Sequence, residues 1–127
     1  MQCYQEFSKW LANHLANDLP KEVVAFNFNL YEGVTGTLEQ YHIELIGADT
    51  FDEEDSDWPC NEIFTTRDDL FIIERTEDIS KWKKGLEVMT SLVSKYLQEG
   101  KYADKLKSVN AVGIGFVDGD IHILYRS

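Results

Sequence analysis

Ile79, Trp82, Leu86, Met89, Leu92, Val93, Tyr96 and Leu97 recur at three- and four-residue spacing. That spacing draws a single stripe along an α-helix of roughly five turns. A helix with one apolar stripe has to lie on something, and the upstream chain supplies it in the other period. Val24, Phe26, Phe28 and Leu30 alternate with Val23, Ala25, Asn27, Asn29 and Tyr31, and Tyr41, Ile43 and Leu45 alternate with Gln40, His42 and Glu44. Alternation by two describes strands with one apolar face. A helix laid on a sheet is therefore expected.

The remaining elements extend this plan. Phe7, Trp10, Leu11, His14 and Leu15 predict a helix over residues 3–17, closed before Pro20. Gly33 and Gly36 suit a hairpin loop of four or five residues between the first two strands. Residues 48–59 show neither period and form a long loop. Two short strands follow, Glu62 to Thr66 and Leu70 to Glu74, joined by Arg67, Asp68 and Asp69. The second is expected to be buried on both faces, because Leu70 to Ile73 are consecutive apolar residues. Thr76 is placed to cap the long helix, with Glu77 and Asp78 in its first turn, and Gly100 to end it in a left-handed conformation. Tyr102 to Val109 add a short helical piece. Asp118-Gly119 is the favoured pair for a type I′ turn, which would set Val117 opposite Asp120, Phe116 opposite Ile121, Ile114 opposite Ile123 and Val112 opposite Tyr125. Gly113, Gly115, His122 and Leu124 would share the other face, thin enough for another backbone to approach. The 127 residues thus read as a single α+β domain. Its antiparallel sheet of about six strands packs against the N-terminal helix and the long helix before the C-terminal hairpin.

Composition removes several functions. With 23 Asp and Glu against 12 Lys and Arg, the net charge of −11 opposes direct binding to nucleic acid or to anionic lipid. No apolar run approaches the roughly 20 residues of a membrane span. Met1 to Glu6 has neither the basic nor the apolar region of a secretory leader, so a cytoplasmic location is expected, with Cys3 and Cys60 as reduced thiols. Counting from Asp52 as an EF-hand would, the sixth residue is Asp57 rather than Gly and the twelfth is Ile63 rather than Glu. His14, His42 and His122 have no zinc-ligand spacing. There is no nucleophile elbow or phosphate loop, and Gly113-Ile114-Gly115 belongs to an alternating strand. No catalytic residue, metal or cofactor is assigned, and the chain reads as non-enzymatic. The competing reading is a small acidic regulator or enzyme that holds a divalent metal on Asp and Glu. A third is an adaptor using the lysine-bearing side of residues 81–107.

The charge is local. Asp49, Asp52, Glu53, Glu54, Asp55, Asp57, Glu62, Asp68 and Asp69 face only Arg67 within residues 49–69, a net of −8 that leaves −3 for the rest of the chain. Phe51 and Trp58 lie within this run. Aromatics amid charge are typical interface anchors, although the same residues can instead tuck a loop onto the core. The nine carboxylates together with Phe51 and Trp58 form the candidate partner-binding set. A basic protein surface is the partner that such a patch fits, and the active-site cleft of a nuclease is one such surface.

Four segments carry a resemblance: Ile43-Glu44-Leu45-Ile46-Gly47 to Asp49; Phe51-Asp52-Glu53-Glu54-Asp55 to Asp57-Trp58; Glu62-Ile63-Phe64; and Gly113 to Asp120. Together they resemble the immunity proteins of bacterial polymorphic toxin loci, including partners of contact-dependent growth inhibition toxins, over roughly residues 22–127. The resemblance implies a cytosolic protein that binds and neutralises the toxin domain of its own cell's effector. Immunity families differ in fold and binding mode, so it assigns no contact residues here.

Overall fold

The computed structural model describes residues 2–35 and 38–127, and only the backbone of residues 2, 34, 35, 38 and 39. The chain is α+β, with helices on one face of a six-stranded mixed sheet. Helix α1 (Gln2–Leu15) buries Phe7, Leu11 and Leu15 completely, one turn apart along a single stripe. Strands β1 (Ala25–Thr35) and β2 (Leu38–Ala48) then pair antiparallel from Ala25↔Ala48 out to Thr35↔Leu38. Gly33, expected in the connecting loop, is instead a strand residue opposite Gln40. The pairing leaves only residues 36 and 37 between the strands, so the part of the expected loop at Gly36 lies outside the described residues.

β2 is long enough to hold two partners end to end on its outer edge. β3 (Glu62–Thr65) pairs with Ile46 to Ala48, and β4 (Phe71–Glu74) pairs with Gln40 to Ile43. The turn between them passes through Arg67 in a left-handed conformation (φ 48°), with the Arg67 N–H donating to Thr65 Oγ1 at 2.9 Å. β4 is not buried on both faces as the four consecutive apolar residues Leu70 to Ile73 imply. Phe71 and Ile73 are buried but Ile72 is 53% exposed, because no layer covers the other face at this edge.

The long helix, α2 (Trp82–Glu99), starts later than its acidic first turn predicts. Glu77–Ile79 form a separate 3-10 turn, and Lys81 is extended, which breaks the run. Two side chains hold that break. Tyr41 donates its hydroxyl to the Ile79 carbonyl at 2.7 Å, and Arg75 Nε donates to the Ser80 carbonyl at 2.8 Å. Gly100 closes α2 by donating to the Tyr96 carbonyl at 2.7 Å, but its backbone is extended (φ −67°, ψ 152°) rather than left-handed. The short helix α3 (Ala103–Leu106) follows, and Lys105 reaches back to the carbonyls of Leu15 and Asn17, satisfying the frayed end of α1.

β5 (Ala111–Phe116) enters beside β1, and all six of its residues are buried. Here the sheet departs from the expected all-antiparallel arrangement. β5 runs parallel to β1, since the chain crosses the sheet through α2 before it returns, whereas the other four pairings are antiparallel. β6 (His122–Arg126) completes the far edge. The C-terminal strands form the expected hairpin with a different turn. Val112↔Tyr125 is as expected, but a bulge at Leu124 moves Ile123 opposite Gly113 and His122 opposite Ile114. A type I′ turn needs positive φ at Asp118, and among the described non-glycine residues only Arg67 has it. Residues 117–121 form a wider loop instead, in which Gly119 donates to the Phe116 carbonyl at 2.9 Å.

The three helices and the inward residues of β1, β2, β4 and β5 make one core. α2 comes so close to the sheet that a Cβ on Gly85 would overlap the Tyr41 ring. Gly85→Ala is therefore expected to cost roughly 1–3 kcal/mol through overpacking. A urea titration should show the midpoint fall, and an unchanged midpoint would contradict this packing.

Candidate functional site

All the helices lie on one face, so the opposite face has only loops to cover it. Its small residues are Ala25, Ala48 and Ala111, and with Ile46 they form a shallow seat at one end. The acidic loop lies on this seat. Trp58 fills it and is 2% exposed, with Phe51 packed edge-on against the indole at 5.3 Å between ring centres. Between the two roles open to these aromatics, the structure takes the tucked one for Trp58. Phe51 is half-buried, under the Arg126 guanidinium, which also pairs with Glu53.

Some of the acids build the loop itself. Asp52 Oδ1 accepts from the Glu54 N–H at 3.0 Å, and Asp55 Oδ1 accepts from the Asp57 N–H at 3.0 Å, two successive side-chain turns that lead into the 3-10 turn Trp58–Cys60. At the neck, the Asp49 N–H donates to the Asn61 carbonyl at 3.3 Å, and Asn61 Nδ2 donates to Thr50 Oγ1 at 2.9 Å. Asp49, Asp52, Glu53, Glu54, Asp55, Asp57 and Glu62 are all exposed.

Asp68 and Asp69 do not join them. They sit in the β3–β4 turn, which packs beside α1 on the helical face. Asp69 Oδ2 lies 2.6 Å from His14 Nε2, and the Asp69 carbonyl accepts from Trp10 Nε1 at 2.9 Å. The run of nine acids that is continuous in sequence is thus divided between the two faces of the sheet.

Sequence reasoning missed what lies next to the loop. Between residues 56–62 and the hairpin loop 117–121 is a cleft of about 620 Å³, floored by Asn27, Asn29, Tyr31 and Glu44. These side chains are linked. Asn27 Nδ2 donates to Asn29 Oδ1 at 2.6 Å and Asn29 Nδ2 to Glu44 Oε1 at 3.3 Å. Tyr31 donates its hydroxyl to the same Oε1 at 2.6 Å, and Thr65 donates to Oε2. Burial, followed by the hydrogen bond to Glu44 and its charge, pushes the Tyr31 phenol up to about 12, so it stays protonated and donating through the physiological range.

Glu62 stands at the rim. Partial burial of its carboxyl and then the Glu44 charge push it above the ordinary 4.5, against the opposing pull of Arg67. The cleft lining holds four carboxylates, Glu44, Asp57, Glu62 and Asp118, and among its described residues no lysine, arginine or histidine. One acceptor is left over: Asn27 is 2% exposed, and its Oδ1 receives no hydrogen bond. Gly113 and Gly115 make room for this arrangement. A Cβ on Gly113 would stand 2.7 Å from Asn27 Oδ1, and one on Gly115 would overlap the Asp120 carbonyl. A signal for the cleft was present in the sequence, because two asparagines at i and i+2 inside a strand are unfavourable unless something uses them.

Among the described residues, no three His, Cys, Asp or Glu side chains converge as metal ligands would, and no helix is long and apolar enough to cross a membrane. Comparison with protein families, curated proteins and solved structures finds no match to the chain.

Two expectations test this construction. Trp58→Ala removes the indole that seats the loop and should cost about 3–5 kcal/mol in chemical denaturation. A loss below about 1 kcal/mol would mean that the loop does not depend on that seat. Glu62 has its folded-state pKa raised, so its contribution to stability is fully present below 4.5 and is lost as pH rises through the folded value. Glu62→Gln imitates the protonated form. It should therefore raise the melting temperature near neutral pH, with the gain fading as pH falls toward 4.5. A gain independent of pH would count against a desolvated carboxyl.

Proposed function

We propose that this protein is a non-enzymatic inhibitor of the immunity type, located in the cytoplasm, which binds and neutralises a basic toxin domain through the acidic loop and the adjoining cleft. A nuclease is the toxin class this surface fits best, since a cleft built to hold phosphates presents the cations that a carboxylate-rich loop can occupy. The observation that carries the reading is the construction of the loop. Asp52, Glu53, Glu54, Asp55 and Asp57 are exposed on a segment clamped by Trp58 and by its own side-chain turns. A loop serving only solubility has no need of that clamp. Holding the carboxylates in place before binding reduces the ordering cost of association. The uncompensated charge of the cleft adds to the field that steers a cationic partner, which can raise association rates toward about 10⁸ M⁻¹s⁻¹ at low salt. The resemblance of the loop and of the Gly113 to Asp120 segment to toxin-locus immunity proteins points the same way.

On this reading a toxin domain is expected to be encoded beside this gene, and that domain is the test. Coexpression should restore growth, and calorimetry should give tight binding that weakens with added salt. Reversing Asp52, Glu53, Asp55 and Asp57 to lysine should weaken binding by roughly three orders of magnitude or more, with the circular dichroism spectrum unchanged. Unchanged affinity in the reversed protein would reject the acidic-loop interface.

A further inference from the structure

We propose that the cleft between residues 56–62 and 117–121 is a socket for one arginine side chain carried by the partner's basic surface, an inference that rests on the inhibitor reading above and specifies its central contact. In the floor network, Tyr31, Thr65 and Asn29 all donate to Glu44, and Asn27 donates to Asn29. Each of these donors makes one bond inside the network, and acceptor capacity remains. Glu44 Oε2 takes only the Thr65 hydroxyl, Glu62 and Asp57 line the same cleft, and Asn27 Oδ1 has no partner among the described residues although its residue is 2% exposed. A buried carbonyl without a donor is rare in a folded protein and calls for an explanation. A ligand suited to these carboxylates brings positive charge and several N–H groups.

A bare metal ion fits poorly. Its ligands must converge to roughly 2.0–2.6 Å from one point, and the acids are spread around a 620 Å³ cleft with no three of them grouped among the described residues. A guanidinium suits the arrangement better. It is planar, carries five donors in a fixed fork, and is less strongly hydrated than an ammonium. Glu44 Oε2, which takes only the Thr65 hydroxyl, keeps one lone pair for that fork, and the Glu62 and Asp57 carboxylates line the same cleft to take its other N–H groups. The walls complete the fit, since Pro59, Val117 and Ile121 offer apolar surface to a methylene stem. Glu62 is raised first by partial burial and then by the Glu44 charge, against the pull of Arg67, and a guanidinium placed between the two acids would relieve the second of these causes.

The experiment needs no partner. The ¹⁵N-labelled chain is titrated with the N-acetylated forms of arginine amide, lysine amide and uncharged citrulline amide at constant ionic strength, following the Asn27 and Asn29 side-chain amides and the Gly113 and Gly115 backbone amides by NMR. Arginine amide should give saturable shifts at these positions, about tenfold tighter than lysine amide, with none from citrulline amide. Glu62→Gln, at an exposed position that leaves the core intact, should weaken the arginine response by about tenfold, and Glu44→Gln should abolish it. Absence of saturation, shifts that map elsewhere, an equal response to lysine amide, or a response to citrulline amide would overturn the socket. Such a failure leaves the acidic-loop interface to be judged by the charge-reversal titration. Conversely, a positive arginine titration beside reversal-insensitive toxin binding would reject the loop and keep the socket.

Discussion

One indole decides what the second face of this sheet becomes. The helices are all placed on the first face, so a loop has to protect the alanines and Ile46 at the end of the other, and Trp58 is the side chain large enough to do it. Because Trp58 is seated there, the loop that carries it is drawn flat against β1, β2 and β5. Phe51 follows the indole, Arg126 follows Phe51, and Glu53 is held by Arg126. The edge of the loop then forms one wall of the cleft.

Charge and burial are coupled through this arrangement. Carboxylates on a free loop would sample many positions and be screened separately, whereas carboxylates on a clamped loop next to a low-dielectric floor act together. The floor is kept polar by Asn27, Asn29 and Glu44. It does not collapse into an apolar contact because Gly113 and Gly115 leave no side chain to fill it. Tyr31, pushed up to about 12 by burial and by Glu44, keeps its hydroxyl proton and donates it to Glu44. Asp69 serves a different purpose, tying the β3–β4 turn to α1 through His14 and Trp10.

Much of the architecture was legible in the residues, for reasons that can be named. The stripe along α2 and the alternation in β1 and β2 are local periodicities imposed by burial on one side, and both survive into the fold. The errors arose where a distant contact overrode a local preference. Glu77 and Asp78 fit a helix start, but Tyr41 and Arg75 capture the carbonyls of Ile79 and Ser80 and delay α2 to Trp82. Asp118-Gly119 fits a tight turn, but the bulge at Leu124 shifts the register and a wider loop forms. The four apolar residues Leu70 to Ile73 suggest burial on both sides, but at the sheet edge Ile72 is exposed.

By itself the sequence determined the α+β class, the single long helix, the central hairpin, the concentration of negative charge in one segment and the absence of any metal or nucleophile motif. These are properties of composition and of short-range period, which burial of one face writes directly into the chain. Only the tertiary structure decided that β5 runs parallel to β1, that Trp58 is buried rather than displayed, and that Asp68 and Asp69 lie on the opposite face from the acidic loop. It also brought Asn27, Asn29, Tyr31, Glu44 and Glu62, from three different strands, around one cleft. The physical reason is that strand pairing, which joins residues far apart in the chain, sets these neighbours, and no local pattern encodes which edge a strand will meet.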